Sequence, residues 1–164
     1  MIKDILIPNE RVAVLIGKRG ETKRKISKLA NVSIKIDGNL VTITGEPINV
    51  LKAENVIYAI GRGFSPKNAF KLLNEDYFID TVEIPGEKNV LERLRARVIG
   101  THGDVKKQIE QSTHTTISVY GKTVCIIGRE TEDATEAVKM IVNGRRLNTV
   151  FKFLKKRKEE KVML

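Results

Sequence analysis

The sequence predicts an α+β fold built as two tandem copies of one module, in the order strand, helix, helix, strand, strand, helix. Three observations carry that prediction. Short runs in which apolar and polar residues alternate, as in half-buried strands, are separated by longer runs of helical period. The pattern recurs at a constant offset of 83 residues: Gly17 falls on Gly100, Gly20 on Gly103, Ile26 on Ile109, Ile34 on Ile117, Gly38 on Gly121, Gly45 on Gly128 and Gly61-Arg62 on Gly144-Arg145. Chance does not hold register over that span, so the chain reads as an internal duplication. The third observation is composition: 164 residues, 41% hydrophobic and 30% charged, form a globular chain long enough for two small domains.

In the first copy, residues 4–8 suit a strand closed by Pro8, and Asn9 is placed to cap a helix through Ile16 with Val12, Leu15 and Ile16 on one face. Gly17-Lys18-Arg19-Gly20 interrupts it. A second helix runs through Ala30 with Ile26, Leu29 and Ala30 on its apolar side, and Asn31 ends it. Val32, Ile34 and Ile36 alternate with polar residues as a strand, Asp37-Gly38-Asn39 turns, and Leu40 to Thr44 returns. Pro47 opens a long helix whose Leu51, Val56, Ile57 and Ile60 face the core until Gly61 and Gly63 stop it.

Ser65-Pro66 begins a short connecting helix with Ala69, Phe70, Leu72 and Leu73 apolar, ending near Asn74. The order then restarts: a strand within Tyr77 to Pro85, a helix over Lys88 to Ile99, the loop Gly100 to Gly103, and a helix over Asp104 to Ser112. Strands over Thr116 to Val119 and Thr123 to Ile127 and a long helix over Thr131 to Asn143 complete it. Nine residues separate Pro8 from Gly17 but fifteen separate Pro85 from Gly100, so the second copy has a longer first helix carrying Arg93, Arg95 and Arg97. Leu147, Val150, Phe151 and Leu154 form one face of an added helix, and Lys155-Lys156-Arg157-Lys158 leads into a frayed end read as a solvated tail rather than an RNA contact. The divisions are 1–64, first module; 65–76, connecting helix; 77–146, second module; 147–164, C-terminal helix and basic tail.

A formal net charge of +10 points to an acidic partner, nucleic acid first and an anionic membrane surface second. With neither a signal-peptide pattern nor an apolar run of transmembrane length, the chain reads as soluble and cytoplasmic, with no membrane partner. The single cysteine, Cys125, lies in a Val-Cys-Ile-Ile run and reads as core; His102 and His114 lack co-ligands at metal spacing, so neither metal nor cofactor is expected. Glu132-Asp133 sits at a helix start, where carboxylates complement the dipole, and no nucleophile stands beside a base. The chain is not expected to be an enzyme.

The chemistry gathers at the two Gly-x-x-Gly loops. Two glycines let the backbone turn sharply and let its N–H groups approach a ligand, while a helix beginning at the second glycine points its positive end at the same spot. Repetition in register is what raises the pattern above coincidence. Ile-Gly-x-x-Gly between two helices, with a strand before and two strands and a long helix after, resembles the type I KH domain in both copies. That resemblance implies an antiparallel three-stranded sheet packed by helices in each copy, and recognition of about four nucleotides of single-stranded RNA or DNA with the loop clamping the backbone. Gly-Lys-Arg-Gly-Glu-Thr-Lys-Arg-Lys-Ile at 17–26, a second repeat and a basic C-terminal helix are similar to the archaeal KH proteins of small-subunit ribosome assembly, counterparts of the eukaryotic Partner-of-Nob (dimethylase-interacting) proteins. This closer likeness implies binding near the 3′ end of small-subunit rRNA, with the Nob endonuclease and a translation initiation factor subunit as partners.

The residues expected at the nucleic acid are Ile16, Gly17, Lys18, Arg19, Gly20, Lys23, Arg24 and Lys25 in the first copy, and Ile99, Gly100, Thr101, His102, Gly103, Lys106 and Lys107 in the second. Many KH domains carry an aliphatic residue three positions after the second glycine; Lys23 and Lys106 stand there instead, favouring phosphate over apolar base contacts. Ile16, Ile26, Ile34, Ile36, Ile109, Ile117 and Val119 are core by period, with an unassigned share lining a groove. Eight aromatics, none in a paired strand arrangement, make stacking a minor term. The competing expectation is an adaptor in a ribonucleoprotein complex, with one or both folds serving as docking surfaces.

Overall fold

In the computed structural model, which describes residues 1–164, the period-two runs become two separate three-stranded antiparallel sheets. The chain divides into units spanning 1–77 and 78–164. The first contains β1 (Ile2–Leu6), α1 (Val12–Ile16), α2 (Glu21–Ala30), β2 (Ser33–Asp37), β3 (Leu40–Thr44), α3 (Pro47–Gly61) and α4 (Pro66–Ala69), followed by a 3₁₀ turn over Phe70–Leu73. Its sheet order is β1-β3-β2, with Ile5 and Ile36 both opposite Val41. Val41 and Ile43 of the central strand, Leu15, Ile26 and the α3 residues Val50, Ala53, Val56, Ile57 and Ile60 are fully buried. Each large aliphatic among them contributes roughly 1.5–3 kcal/mol from its removal from water.

The second unit contains β4 (Phe78–Glu83), α5 (Lys88–Ile99), α6 (Asp104–Thr113), β5 (Thr116–Tyr120), β6 (Thr123–Gly128), α7 (Glu132–Val142) and α8 (Leu147–Val162), with sheet order β4-β6-β5. Val98, Ile109, Val124, Ile126, Val138 and Ile141 form its core, which Val150 and Leu154 of α8 complete. Cys125 is buried as expected, its Sγ 3.3 Å from Thr81 Oγ1. The longer first helix is present: α5 has twelve residues against five in α1. No helix is long and apolar enough to cross a membrane.

Four local expectations are corrected. The first strand pairs over Ile2–Leu6 rather than 4–8. Asn9 does not cap a helix; Pro8, at its fixed φ, precedes a 3₁₀ turn over Asn9–Arg11 and its carbonyl accepts from Arg11 N at 2.9 Å. Leu29 and Leu51 are exposed, because the inward stripes are narrow: Ile26 and Ala30 fill that of α2, and Val50, Ala53, Val56, Ile57 and Ile60 fill that of α3. The C-terminal segment is not frayed but helical through Val162, for an electrostatic reason. Arg157 pairs with Asp133 (3.1 Å) and Glu160 (2.9 Å), and Lys161 with Glu130 and Asp133 (both 2.9 Å). Burial alone pushes the Asp133 carboxyl up; the bonds from Lys161 and Arg157 outweigh it and hold the group below its ordinary value. The same bonds raise both cations, Asp133 contributing most.

The last helix of each KH module, α3 and α7, also ends against an arginine. Arg11 donates to the carbonyls of Ile60 (2.7 Å) and Phe64 (2.8 Å); Arg97 donates to those of Ile141 (2.7 Å) and Arg145 (2.6 Å). Ile60 and Ile141 lie in the last turn of their helices, where a carbonyl lacks its ordinary helical partner and accepts only the tighter Gly63 or Gly144 N–H (3.1 and 3.0 Å). The two arginines sit at different places in the repeat, yet meet the same need.

Candidate nucleic-acid interface

The two Gly-x-x-Gly loops have one backbone conformation. Gly17 lies at φ +76°, ψ 176° and Gly100 at φ +77°, ψ 177°; Arg19 and His102 lie at φ +55° and +54°; Gly20 and Gly103 lie at φ +74° and +75°. The first glycine occupies a region that is essentially closed to other residues. A Cβ added there would sit 2.8 Å from the Thr22 backbone N in the first loop and 2.8 Å from Val105 Cβ in the second. The second glycine closes the turn, its N–H meeting the first glycine's carbonyl at 3.2 Å in both loops. The side chains of Lys18, Arg19, Thr101 and His102 are exposed at the tip, and α2 and α6 start immediately after.

In the first unit the loop borders an open groove of about 440 Å³ lined by Val12, Ile16, Gly20, Lys23, Arg24, Ile36 and Gly38. The unassigned share of the aliphatic set is thereby resolved for the first copy. Ile16 and Ile36 are half-buried at the groove, whereas Ile26 and Ile34 are core. Val12 and Gly38 line it without having been expected; the helical face of Val12 with Ile16 and the Asp-Gly-Asn turn were the available signals. Arg24 donates to the Arg19 carbonyl at 2.6 Å, which holds its guanidinium at the loop. Lys23 lines the same groove and makes no ion pair. Lys25 is not brought there: it lies on another side of α2, its ammonium 4.9 Å from the Phe70 ring centroid, where it gains a cation–π contact.

The second loop is flanked by half-buried Ile99, exposed Lys107 and half-buried Lys106. Lys106 is drawn along its helix to Glu110 (3.5 Å), whose other oxygen accepts the Ile117 N–H at 2.8 Å. Asp104 takes the Val105 N–H with its own carboxylate (2.8 Å), so one of the N–H groups expected to face a phosphate is already engaged. In the basic run of α8, Arg157 is committed to Asp133 and Glu160. Lys152, Lys155 and Lys158 are exposed beside a second groove, of about 440 Å³, shared with Gln108, Ser112, Asn148, Phe151 and Leu154.

Residues 2–59 match the KH domain model, and residues 77–159 match the eukaryotic type KH-domain (KH-domain type I) model. The chain belongs to the KH-domain family. It is a tandem KH-domain protein, homologous to archaeal Dim2p, and the strand-first order seen in both KH units is the one expected for type I. The crystal structure of Dim2p from Pyrococcus horikoshii OT3 is 38% identical and superposes with a TM-score of 0.88 over 95% of this chain and 99% of that one. A second structure from that organism, the a/eIF2alpha–aDim2p–rRNA complex, matches with a TM-score of 0.90 at 38% identity over 98% of this chain and 95% of that one. The KH domain-containing protein MJ0443 of Methanocaldococcus jannaschii is also 38% identical, over 97% of this chain and 75% of its own length. KH domains are a non-catalytic, RNA-binding family, and both KH units here present the Gly-x-x-Gly loop.

Proposed function

We propose that this protein binds single-stranded RNA with its two Gly-x-x-Gly loops, each clamping the backbone, and that it acts in the cytoplasm in small-subunit ribosome assembly and rRNA 3′-end maturation. The observation that carries the proposal is the repeated loop: two copies, 83 residues apart, hold the same left-handed backbone while exposing their variable pairs. Such a conformation persists only where the surrounding structure over-determines it. The open groove beside the first loop, with an aliphatic floor and cations at its edge, suits bases below and phosphates above. The relative from Pyrococcus horikoshii was crystallised with rRNA and a/eIF2alpha, which supports rRNA as the ligand and an initiation factor α subunit as a partner; the stretch proposed is the 3′ region of small-subunit rRNA. The Nob endonuclease is the further partner proposed.

The test is charge reversal at each loop: Lys18→Asp with Arg19→Asp, and Thr101→Asp with His102→Asp. Arg19 and His102 sit at left-handed φ, a conformation that aspartate tolerates, so the substitutions spare the fold. Expected is weakened single-stranded RNA binding by each loop variant and loss of it when all four substitutions are combined, read by fluorescence anisotropy, with thermal stability intact. Contact with four to eight phosphates gives a slope of log affinity against log salt of about −3 to −6. If both loop variants bind RNA like the parent, or the salt dependence is flat, the protein is an adaptor instead.

A further inference from the structure

The two loops share a backbone, and the residues that flank them differ at one position. The first groove is lined by Val12, Ile16, Gly20, Lys23, Arg24, Ile36 and Gly38. At the offset of 83 stand Arg95, Ile99, Gly103, Lys106, Lys107, Val119 and Gly121. Six of these seven pairs keep their chemical class; only valine to arginine does not. Arg95 Nη1 donates to the Gly121 carbonyl at 3.2 Å, so a half-buried guanidinium joins α5 to the β5–β6 turn. The corresponding positions in the first unit, Val12 and Gly38, leave the groove open between them.

The surrounding charges single Arg95 out. Lys106 is held along α6 by Glu110, which is itself fixed by the Ile117 N–H. Ser27 stands at the place of Glu110 in the first unit and makes no such bond, so Lys23 stays available at its groove edge. With Lys107 exposed at the counterpart of Arg24, the cation that spans from α5 to the β5–β6 turn is Arg95. The bond to Gly121 uses one of its five N–H donors and leaves four for a ligand.

A guanidinium is a planar fork of donors with no acceptor. The base it matches must present two adjacent acceptors. Guanine does so at O6 and N7, and cytosine at N3 and O2; neither adenine nor uracil offers such a pair. In a single strand both edges are free to be read. We infer that Arg95 is the base-selecting residue of the second groove, which takes guanine or cytosine between α5 and the β5–β6 turn, whereas the first groove, with Val12 in its place, makes no such selection. The inference rests on the RNA-binding reading above.

The experiment uses the full chain carrying Lys18→Asp and Arg19→Asp, so that captured RNA reports the second groove. The probe is a pool of random-sequence RNA octamers, sequenced before and after capture. Expected is one position enriched in guanine or cytosine over adenine and uracil by about five- to a hundredfold, the range of one good bidentate contact. The enrichment disappears in Arg95→Val, which installs the side chain the first groove already carries, and in Arg95→Lys, which keeps the charge without the fork. Captured RNA with no such preference, or a preference that survives both substitutions, overturns the inference and leaves RNA binding standing. No RNA captured by this chain while the parent captures it overturns the inference and the second loop's share of the binding; no RNA captured by the parent overturns both.

Discussion

The loop geometry makes a graded prediction about two glycines that look alike in sequence. Replacing Gly100 by alanine places a Cβ at φ +77°, ψ 177°, where it meets Val105 Cγ2 at 2.5 Å and Val105 Cβ at 2.8 Å. The backbone region costs about 1–3 kcal/mol, and overpacking adds about 1–3 kcal/mol. Replacing Gly103 by alanine places a Cβ at φ +75°, ψ 17°, with nothing within 4 Å. That left-handed conformation costs about 1–2 kcal/mol. Both changes recover about 0.4–1 kcal/mol by stiffening the unfolded chain. Taking central values, Gly100→Ala destabilises the second unit by about 3 kcal/mol and Gly103→Ala by under about 1 kcal/mol. Since the chain has no tryptophan, the assay is urea unfolding followed residue by residue by NMR, which separates the two units. The same ordering is expected for Gly17→Ala over Gly20→Ala, because an added Cβ at Gly20 meets only the flexible tip of Arg24, at 2.9 Å. Equal losses at the two glycines of one loop would refute the reasoning.

Other outcomes follow from the same contacts. Arg97→Met removes two charge-assisted bonds from the end of α7 and should destabilise the second unit by about 2 kcal/mol; Arg11→Met should do the same to the first unit through α3, each read by the unfolding midpoint of its own unit. The α8 clamp depends on pH in one direction. The carboxyl of Asp133 titrates below its ordinary value, so its contribution is present above about pH 4 and is lost as pH falls through the lowered value. Lys161 and Arg157 are raised, so their contribution is complete below their ordinary values and is lost only above about pH 10. The protection of α8 amides relative to their intrinsic exchange rate should fall on acidification, and Asp133→Asn should show the reduced protection at every pH; an α8 equally protected in parent and variant at pH 7 sinks the clamp.

Much of the fold was legible because burial imposes period on sequence. The repeat offset fixed both loops, both hairpin turns and the order of elements, since those positions need glycine or a two-residue turn in each copy. Leu29 and Leu51 show where the reading stopped: hydrophobicity marks a residue that can be buried, and only the width of the facing groove decides whether it is. The groove floor was half legible for the same reason, because Ile16 and Ile36 have the period of core residues and differ from Ile26 and Ile34 only in what lies above them. Lys25 was grouped with Lys23 and Arg24 by adjacency, yet 100° of rotation per residue puts it over Phe70. The C-terminal run looked like a tail because its partners, Asp133 and Glu130, are more than twenty residues away in sequence.

Duplication has left the parts of the KH unit under different constraints. The loop conformation is set by glycine and by left-handed backbone, so any change at Gly17, Gly20, Gly100 or Gly103 is opposed by stability, whatever the ligand. The exposed pair between them carries no such penalty, and it has diverged from Lys18-Arg19 to Thr101-His102. The groove wall is intermediate. Val12 and Arg95 occupy one position of a helix whose core anchors, Leu15 and Val98, lie three residues on, so the wall can change chemistry without disturbing the packing beneath it. Lys23 and Lys106 make the point from the other side. They are the same residue at the same position, and a single difference four residues later, serine against glutamate, leaves one at the groove edge and ties the other down. The loop backbone is thus kept alike in the two copies by its strain, while the exposed pair and the groove wall are left to side chains that the fold does not constrain.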